Sequence, residues 1–394
     1  MNSSALWTFQ DAVEYLIDSS RATGSMSDER RNARRAVLDA YREFPLRDDW
    51  SYFTRRGQFI TESSQSTGTI TYDHTGGAYE RLVTLSGATW PDNARYGAVI
   101  IGSEHYLIES RISSTAVTLR HDSNPGADVA AGTGYTYYRN VYPVPLDFRA
   151  GTNPMEFDQS GRGIPYVTPS ELLTLLAVND SPQSWANAYT IRGVTDDYNT
   201  LAFELTPPPS TAVTFTYLYQ ADPRPLQTFG ASTEYSTGTL SVSGTTVTGV
   251  GTSWAARMEG CVIRFPPSGS STIPTGIYGA YGNDNPAHEY RVVMDVATIT
   301  SLTIDQSLTG TYSGAKYTIG DPLDLDYHVM LDAFLALCDL KLARLLGQDR
   351  QVVTSKEAAW QREFAKARGQ DARTPSPQRM ALPRYAQFYS GEAM

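Results

Sequence analysis

Asp324 and Asp326, with Asp321 just ahead of them, carry the near-alternate carboxylate spacing of a calcium loop. Such a loop also needs a glycine at its sixth position and a distal glutamate that binds through both oxygens. Neither is present, so the three acids are expected to sit at helix starts, where the dipole favours negative charge. Asp196-Asp197 beside Tyr198 is the nearest approach to the acid pair of a glycoside-cleaving site, and a turn is its expected role. His74, His105, His121, His288 and His328 are scattered, with no second ligand at productive spacing. No CxxC, HExxH or His-x-His pair occurs, so no transition-metal site is expected. A G-x-S-x-G elbow and a Walker A loop are both missing, and Gly161-Arg162-Gly163 lacks a strand before it and a helix after it. Cys261 and Cys338 lie far apart and read as buried thiols in a reducing compartment. The 25 tyrosines and six tryptophans could line a sugar groove, but at alternating strand positions they are expected to form core and cross-strand pairs. No catalytic, cofactor-binding or metal-binding residue is assigned. The expectation is a protein that acts by binding and is not an enzyme.

Bulk properties agree with that reading. The chain has 394 residues, enough for two or three cores, and only 19% of them are charged. Gly, Ser, Thr and Tyr are abundant, which favours strands joined by turns. The opening residues have no basic stretch of a secretory signal, and no apolar run of about 18 residues occurs, so neither standard secretion nor a membrane span is expected. A net charge of −10 argues against gripping nucleic acid as the main task. The charge is uneven. From Lys341 to Met394 ten Lys/Arg face five acids, a surplus of +5 that leaves −15 on the rest. A basic end on an acidic body can dock an acidic partner, contact phosphate, or simply be solvated helix surface.

The elements that would carry these residues follow from periodicity. Thr8 and Asp11 form an acidic variant of the capping box ahead of Phe9, Val13, Leu16 and Ile17 at helical spacing. Ser27 is expected to cap a second helix whose apolar stripe is Ala33, Ala36, Val37, Ala40, Tyr41 and Phe44, stopped by Pro45. Its other side carries Arg30, Arg31, Arg34, Arg35 and Arg42. From Trp50 the period becomes that of strands. Ser66-Thr67-Gly68-Thr69-Ile70 recurs as Ser236-Thr237-Gly238-Thr239-Leu240, and each copy continues with a tryptophan, Trp90 or Trp254. Gly97-Ala98-Val99-Ile100 is set against Gly260-Cys261-Val262-Ile263, and Tyr106-Leu107-Ile108 against Tyr290-Arg291-Val292. Val117-Thr118-Leu119 answers Leu302-Thr303-Ile304, and Tyr135-Thr136-Tyr137 answers Tyr317-Thr318-Ile319. Each copy predicts a small barrel or sandwich of five or six short strands, the second with a loop insertion over about 266–288.

Between the copies, Thr168-Pro169-Ser170-Glu171 predicts the start of a short helix over Leu172–Val178. Strands are predicted at 189–191, 201–205 and 213–217. Near the end, Met330, Phe334, Leu335, Cys338, Leu342 and Leu345 form a helical stripe stopped by Gly347. A further helix carries Ala359, Trp360, Phe364 and Ala367 and is expected to end at Gly369. The first and last helices are too short to stand alone and are expected to pack on each other. The fold class expected is therefore α+β: a terminal helical bundle formed by N- and C-terminal helices, two repeated small β-barrel or sandwich modules, and a third β-unit inserted between them. The expected boundaries are 1–62 with 322–371 for the helices, 63–142 and 233–321 for the repeats, 143–232 for the central unit, and 372–394 for an extended tail that orders on a partner.

Arg34-Arg35-Ala36-Val37-Leu38-Asp39-Ala40-Tyr41-Arg42, followed by Asp49-Trp50-Ser51-Tyr52, resembles the opening of the head-to-tail adaptors of podovirus-type tailed bacteriophages. Trp360 and Phe364 ahead of a basic tail resemble their close, and Leu201-Ala202-Phe203 to Tyr217-Leu218-Tyr219 fits their middle. The repeat, with Val247-Thr248-Gly249-Val250-Gly251-Thr252-Ser253-Trp254, resembles a β-module of phage tail and neck proteins. The resemblance implies a virion protein of the neck, assembled in the host cytoplasm. It would form a ring of about twelve copies that docks below the portal and continues the channel through which double-stranded DNA is ejected. Expected partners are the portal protein, a tail nozzle or tube protein, and tail fibres, with no cofactor. Arg30, Arg31, Arg34 and Arg35, with Arg379, Leu382, Arg384, Tyr385 and Phe388 of the tail, are the expected subunit or portal interface. Two readings stand beside it, a tail-tube or nozzle ring protein of the same particle and a host-glycan-binding tail protein.

Overall fold

A computed structural model describes residues 7–20, 26–151, 155–157, 163–178, 181–193, 201–226, 234–267, 269–274 and 289–373. Over these the protein is α+β, with five α-helices and several antiparallel sheets. It divides into two compact units, Met1–Phe53 with Pro223–Met394, and Thr54–Asp222.

The first unit opens with α1 (Phe9–Ser20) and α2 (Met26–Glu43). The capping box ahead of α1 is present. The Thr8 amide donates to Asp11 Oδ2 at 2.8 Å, and the Asp11 amide returns a bond to Thr8 Oγ1 at 3.3 Å. Ser27 is not ahead of the second helix but inside it, because α2 already begins at Met26. Pro45 then sits in a tight 3₁₀ turn, Phe44–Arg47, that ends the helical run.

The second unit begins with β1 (Thr54–Ile60) and the first copy of the repeat: β2 (Thr69–Asp73), β3 (Leu82–Ser86), β4 (Gly97–Ile101), β5 (Glu104–Arg111), β6 (Ala116–Leu119), β7 (Val129–Thr133) and β8 (Tyr135–Arg139). Their order in the sheet is β7-β2-β3-β6-β5-β4-β8. β7 and β8 are nearly one strand, pairing with β2 on one side and β4 on the other, so the sheet curls back on itself as a half-barrel. Ile70, Tyr72, Val83, Trp90, Val99, Val117 and Tyr137 fill it. After it come β9 (Val141–Pro143), β10 (Phe148–Gly151), β11 (Met155–Phe157), β12 (Gly163–Ile164), α3 (Pro169–Val178), β13 (Ala188–Gly193), β14 (Leu201–Thr206) and β15 (Thr214–Ala221). The helix starts where the sequence places it, with the Thr168 amide donating to Glu171 at 2.8 Å. β1, which the sequence reading groups with the opening helices, pairs along its whole length with β15. The core here is aromatic. Phe59 of β1 stacks on Phe215 with centroids 5.0 Å apart and on Tyr142 at 4.8 Å.

The chain then re-enters the first unit with β16 (Thr239–Ser243), β17 (Thr246–Val250), β18 (Val262–Phe265), β19 (Glu289–Thr298), β20 (Ser301–Ile304) and β21 (Thr318–Gly320). Their order, β16-β17-β20-β19-β18-β21, is that of the first half-barrel without β7. The insertion falls between β18 and β19, where the first copy has only the tight turn from β4 to β5. The two copies align without a gap from the tryptophan into the next strand, which corrects the sequence pairing by one residue. Val99 faces Tyr137, and Ile263 faces Ile319, the two partners that occupy the same place in their sheets. Val99 therefore matches Ile263, and Gly97 matches Cys261 and not Gly260. The shared glycine misled the alignment, since Gly260 lies before its strand at positive φ while Gly97 is extended within one. A one-residue slip matters because it exchanges the core and outer faces of a strand.

Two helices complete this unit, α4 (Leu331–Leu345) and α5 (Arg350–Arg373). Gly347, at φ +61, lets the chain leave α4 in the left-handed conformation a helix end requires. Gly369 does not end α5, which runs on to Arg373. α1, α2, α4 and α5 share one hydrophobic core. α4 is buried on most sides, through Phe334, Leu335, Leu337, Cys338, Leu340 and Leu342. Each of these leucines and the phenylalanine contributes about 1.5–3 kcal/mol by leaving water. Among the described residues no helix is long and apolar enough to cross a membrane.

Candidate interaction surface

α2 presents Ala33, Ala36, Val37 and Ala40 to the shared core, all essentially buried. Small residues there let the helix approach α4 closely. Helical periodicity then puts its arginines on the remaining faces, and the structure separates them into two pairs. Arg30 reaches Glu14 of α1 at 2.7 Å. Arg34 lies half-buried with its guanidinium 5.2 Å from the centroid of Phe9. Burial, and then the neighbouring Arg30 charge, lowers its hold on the proton. Arg31 and Arg35, one turn apart, are exposed, and Arg42 is exposed further along the helix. Thus, of the four arginines expected at an interface, Arg30 and Arg34 contact α1, and Arg31 and Arg35 are exposed. Arg379, Leu382, Arg384, Tyr385 and Phe388 lie outside the described residues.

α5 carries much of the basic surplus of the C-terminal segment, yet most of its charge is matched within the chain. Lys356 pairs with Asp339 at 3.2 Å, Lys366 with Glu363 at 2.8 Å, Arg344 of α4 with Glu357 at 3.3 Å, and Arg368 with Asp48. These exposed pairs add little to stability, since solvent screens them. They do neutralise part of the helix surface. Trp360 is half-buried and packs in a tilted contact on Phe364, with centroids 5.5 Å apart and Arg47 over its ring.

The acids singled out in the sequence are structural braces. Asp321 pairs with Arg224 at 3.4 Å, and Asp324 accepts the Tyr52 hydroxyl at 2.8 Å and the Arg224 amide at 2.8 Å. Asp326 accepts the His328 amide at 2.9 Å, four residues before the Met330 cap of α4, which has no side-chain cap bond. The expected helix-capping role is therefore replaced, for Asp321 and Asp324, by bonds to segments distant in the chain, while Asp326 makes a local turn bond. Arg224, which also donates to the Gly260 and Glu259 carbonyls, was not found from sequence, nor was the buried Arg264. Arg264 did leave a signal, a single charge inside the apolar run Cys261-Val262-Ile263-Arg264-Phe265.

Both cysteines are reduced and buried. Burial, and then the Asp321 charge, pushes the Cys261 thiol up to about 11, and burial raises Cys338 further from reactivity. Among the described residues no group of three His, Cys, Asp or Glu side chains is placed to hold a metal ion. His74 and His105 are paired with Tyr72 and Tyr138, at 3.0 and 2.9 Å. Asp196, Asp197, Gly161 and Arg162 lie outside the described residues. Compared with known proteins, the chain matches no protein-family model and no curated protein.

Proposed function

We propose that this chain is a structural virion protein, a ring-forming head-to-tail adaptor that docks below the portal and continues the DNA channel toward the tail. The observation that supports this reading most is the shared core of α1, α2, α4 and α5, built from both ends of the chain. In this reading it is a terminal bundle that closes the chain around the β-units in sequence order. The bundle makes the portal and subunit contacts, and α2 offers Arg31 and Arg35 to acidic partners. Arginine suits that task because its planar fork can bind a carboxylate through two bonds. The β-units serve tail nozzle or tube proteins and tail fibres. Work of this kind rests on large, long-lived heterologous contacts and involves no catalysis. The acidic balance outside the C-terminal segment suits a channel through which DNA must slide, since a basic bore would grip phosphate.

Negative-stain electron microscopy of the full chain, alone and mixed with portal rings, tests the proposal. The expected images are wide rings seated on the portal, formed when both proteins are present. A tapering tube would favour a nozzle or tail-tube protein, and an elongated trimer a glycan-binding tail protein.

A further inference from the structure

β4 and β18 are the same strand in two copies of one module, yet their outer faces are used differently. Ile100 on β4 is half-buried, whereas its counterpart on β18, Arg264, is 3% exposed. Arg264 is covered by the start of α1. Its guanidinium donates to Asp11 and, at 3.1 Å, to Glu234 Oε1. The Thr8 hydroxyl donates to the same Glu234 oxygen at 2.7 Å. Glu234 stands where the first copy has Ser64, so the Arg264–Glu234 pair occurs in the second copy alone. Gly320 of β21 makes room for this arrangement, since a Cβ there would lie 2.2 Å from Glu234 Oε1. Thr318 of β21 and Tyr327, ahead of α4, complete the surroundings. The nearby Asp321 carboxylate is engaged by Arg224.

The charge count of this cluster is unbalanced. Two carboxylates meet one guanidinium, and the side chains of Arg264, Asp11 and Glu234 are only 4%, 2% and 10% exposed. Full ionisation would bury a net negative charge, which is costly away from water, and neighbouring carboxylates relieve that cost when one keeps its proton. We propose that Asp11, Glu234 and Arg264 form a proton-holding latch, in which α1 seats on the second half-barrel with a proton on Glu234 and seats less firmly once that proton is lost. The latch operates whether or not the chain builds a ring.

The electrostatics of the cluster agree with the geometry. Burial pushes Glu234 above the ordinary carboxylate range, Arg264 pulls it back, and Asp11 adds to the rise. Burial works against the charge on Arg264, but Asp11 and Glu234 hold its proton more firmly than usual. A carboxyl raised on folding contributes stability that is fully present below its unfolded value. That stability is lost as pH climbs through the folded value, and no further change follows above it.

Urea unfolding of the full chain across a pH series, read by hydrogen-exchange pulses of fixed pH on peptides from α1 and β18, tests the latch. The folding equilibrium of the wild type should fall with rising pH by up to about tenfold per pH unit, relative to Glu234→Gln. The two proteins should match at the acid end, and the variant should be the more stable at the alkaline end. Asp11→Asn keeps a capping side chain while leaving one carboxylate for the guanidinium, so it too should lose the slope. It decides the matter if Glu234→Gln does not fold. Wild type and variants with parallel pH profiles would overturn the latch.

Discussion

Trp254 donates its indole N–H to the Tyr317 hydroxyl at 2.9 Å, and the Tyr317 hydroxyl in turn donates to the Thr237 carbonyl at 2.6 Å. In the first copy Tyr135 makes the equivalent bond to Thr67 at 2.9 Å, but the Trp90 N–H finds no acceptor among the described residues. The same indole is therefore satisfied in one copy and buried without a partner in the other. Trp254→Phe gives up a bond, while Trp90→Phe removes an orphan donor. The first substitution should cost more than the second by about 1–3 kcal/mol in urea unfolding of the full chain. Equal costs would count against this difference between the copies.

Phe44 and Trp50 stack with centroids 5.1 Å apart, and Phe364 meets Trp50 edge-on at 5.5 Å. Trp50 is fully buried, so Trp50→Ala should cost about 3–5 kcal/mol. Trp360 is half-buried at the edge of the same core, so Trp360→Ala should cost less, about 1–2 kcal/mol. Chemical denaturation of the two variants side by side checks the order.

Gly68 and Gly238 open the two copies at φ +88 and +86, and a Cβ at either would come within 2.3 and 2.5 Å of a backbone carbonyl, that of Ser86 or Val250. Backbone cannot yield as a flexible side chain can. Gly68→Ala and Gly238→Ala should each cost at least about 2 kcal/mol. Gly77, also at positive φ but facing open space, should lose only about 1 kcal/mol as alanine. Thermal unfolding of the three variants separates the steric cost from the conformational one.

Arg31 and Arg35 are exposed, so Arg31→Ser with Arg35→Ser should leave stability within about 0.5 kcal/mol of wild type. Ring formation on the portal should nonetheless be lost, measured by sedimentation. Binding of the wild type to duplex DNA should be weak across a salt series. Tight binding with a steep salt slope, alongside normal assembly of the variant, would make α2 a nucleic-acid surface instead.

If residues 374–394 order on the portal as the sequence reading expects, truncation after Arg373 should abolish portal binding. Sedimentation of the truncated chain with portal rings reads the outcome, and full binding would remove the tail from the interface.

Much of the local structure was legible in the sequence because it is set by neighbours in the chain. The reciprocal bonds of Thr8 with Asp11, and of Thr168 with Glu171, follow from three-residue spacing. The apolar stripes of α2 and α4, and the repeat with its two tryptophans, are likewise properties of order and period. What tertiary structure decided concerns residues far apart. The sequence could not show that β1 pairs with β15, or that Gly97 matches Cys261, because register is chosen by which face must be buried. Nor could it divide the arginines of α2, since Arg30 and Arg34 turn toward Glu14 and Phe9 only once α1 packs beside them. Arg264 reads in sequence as a lone charge in a strand. It becomes the centre of a buried cluster because folding brings it to Asp11, across 253 residues, and to Glu234.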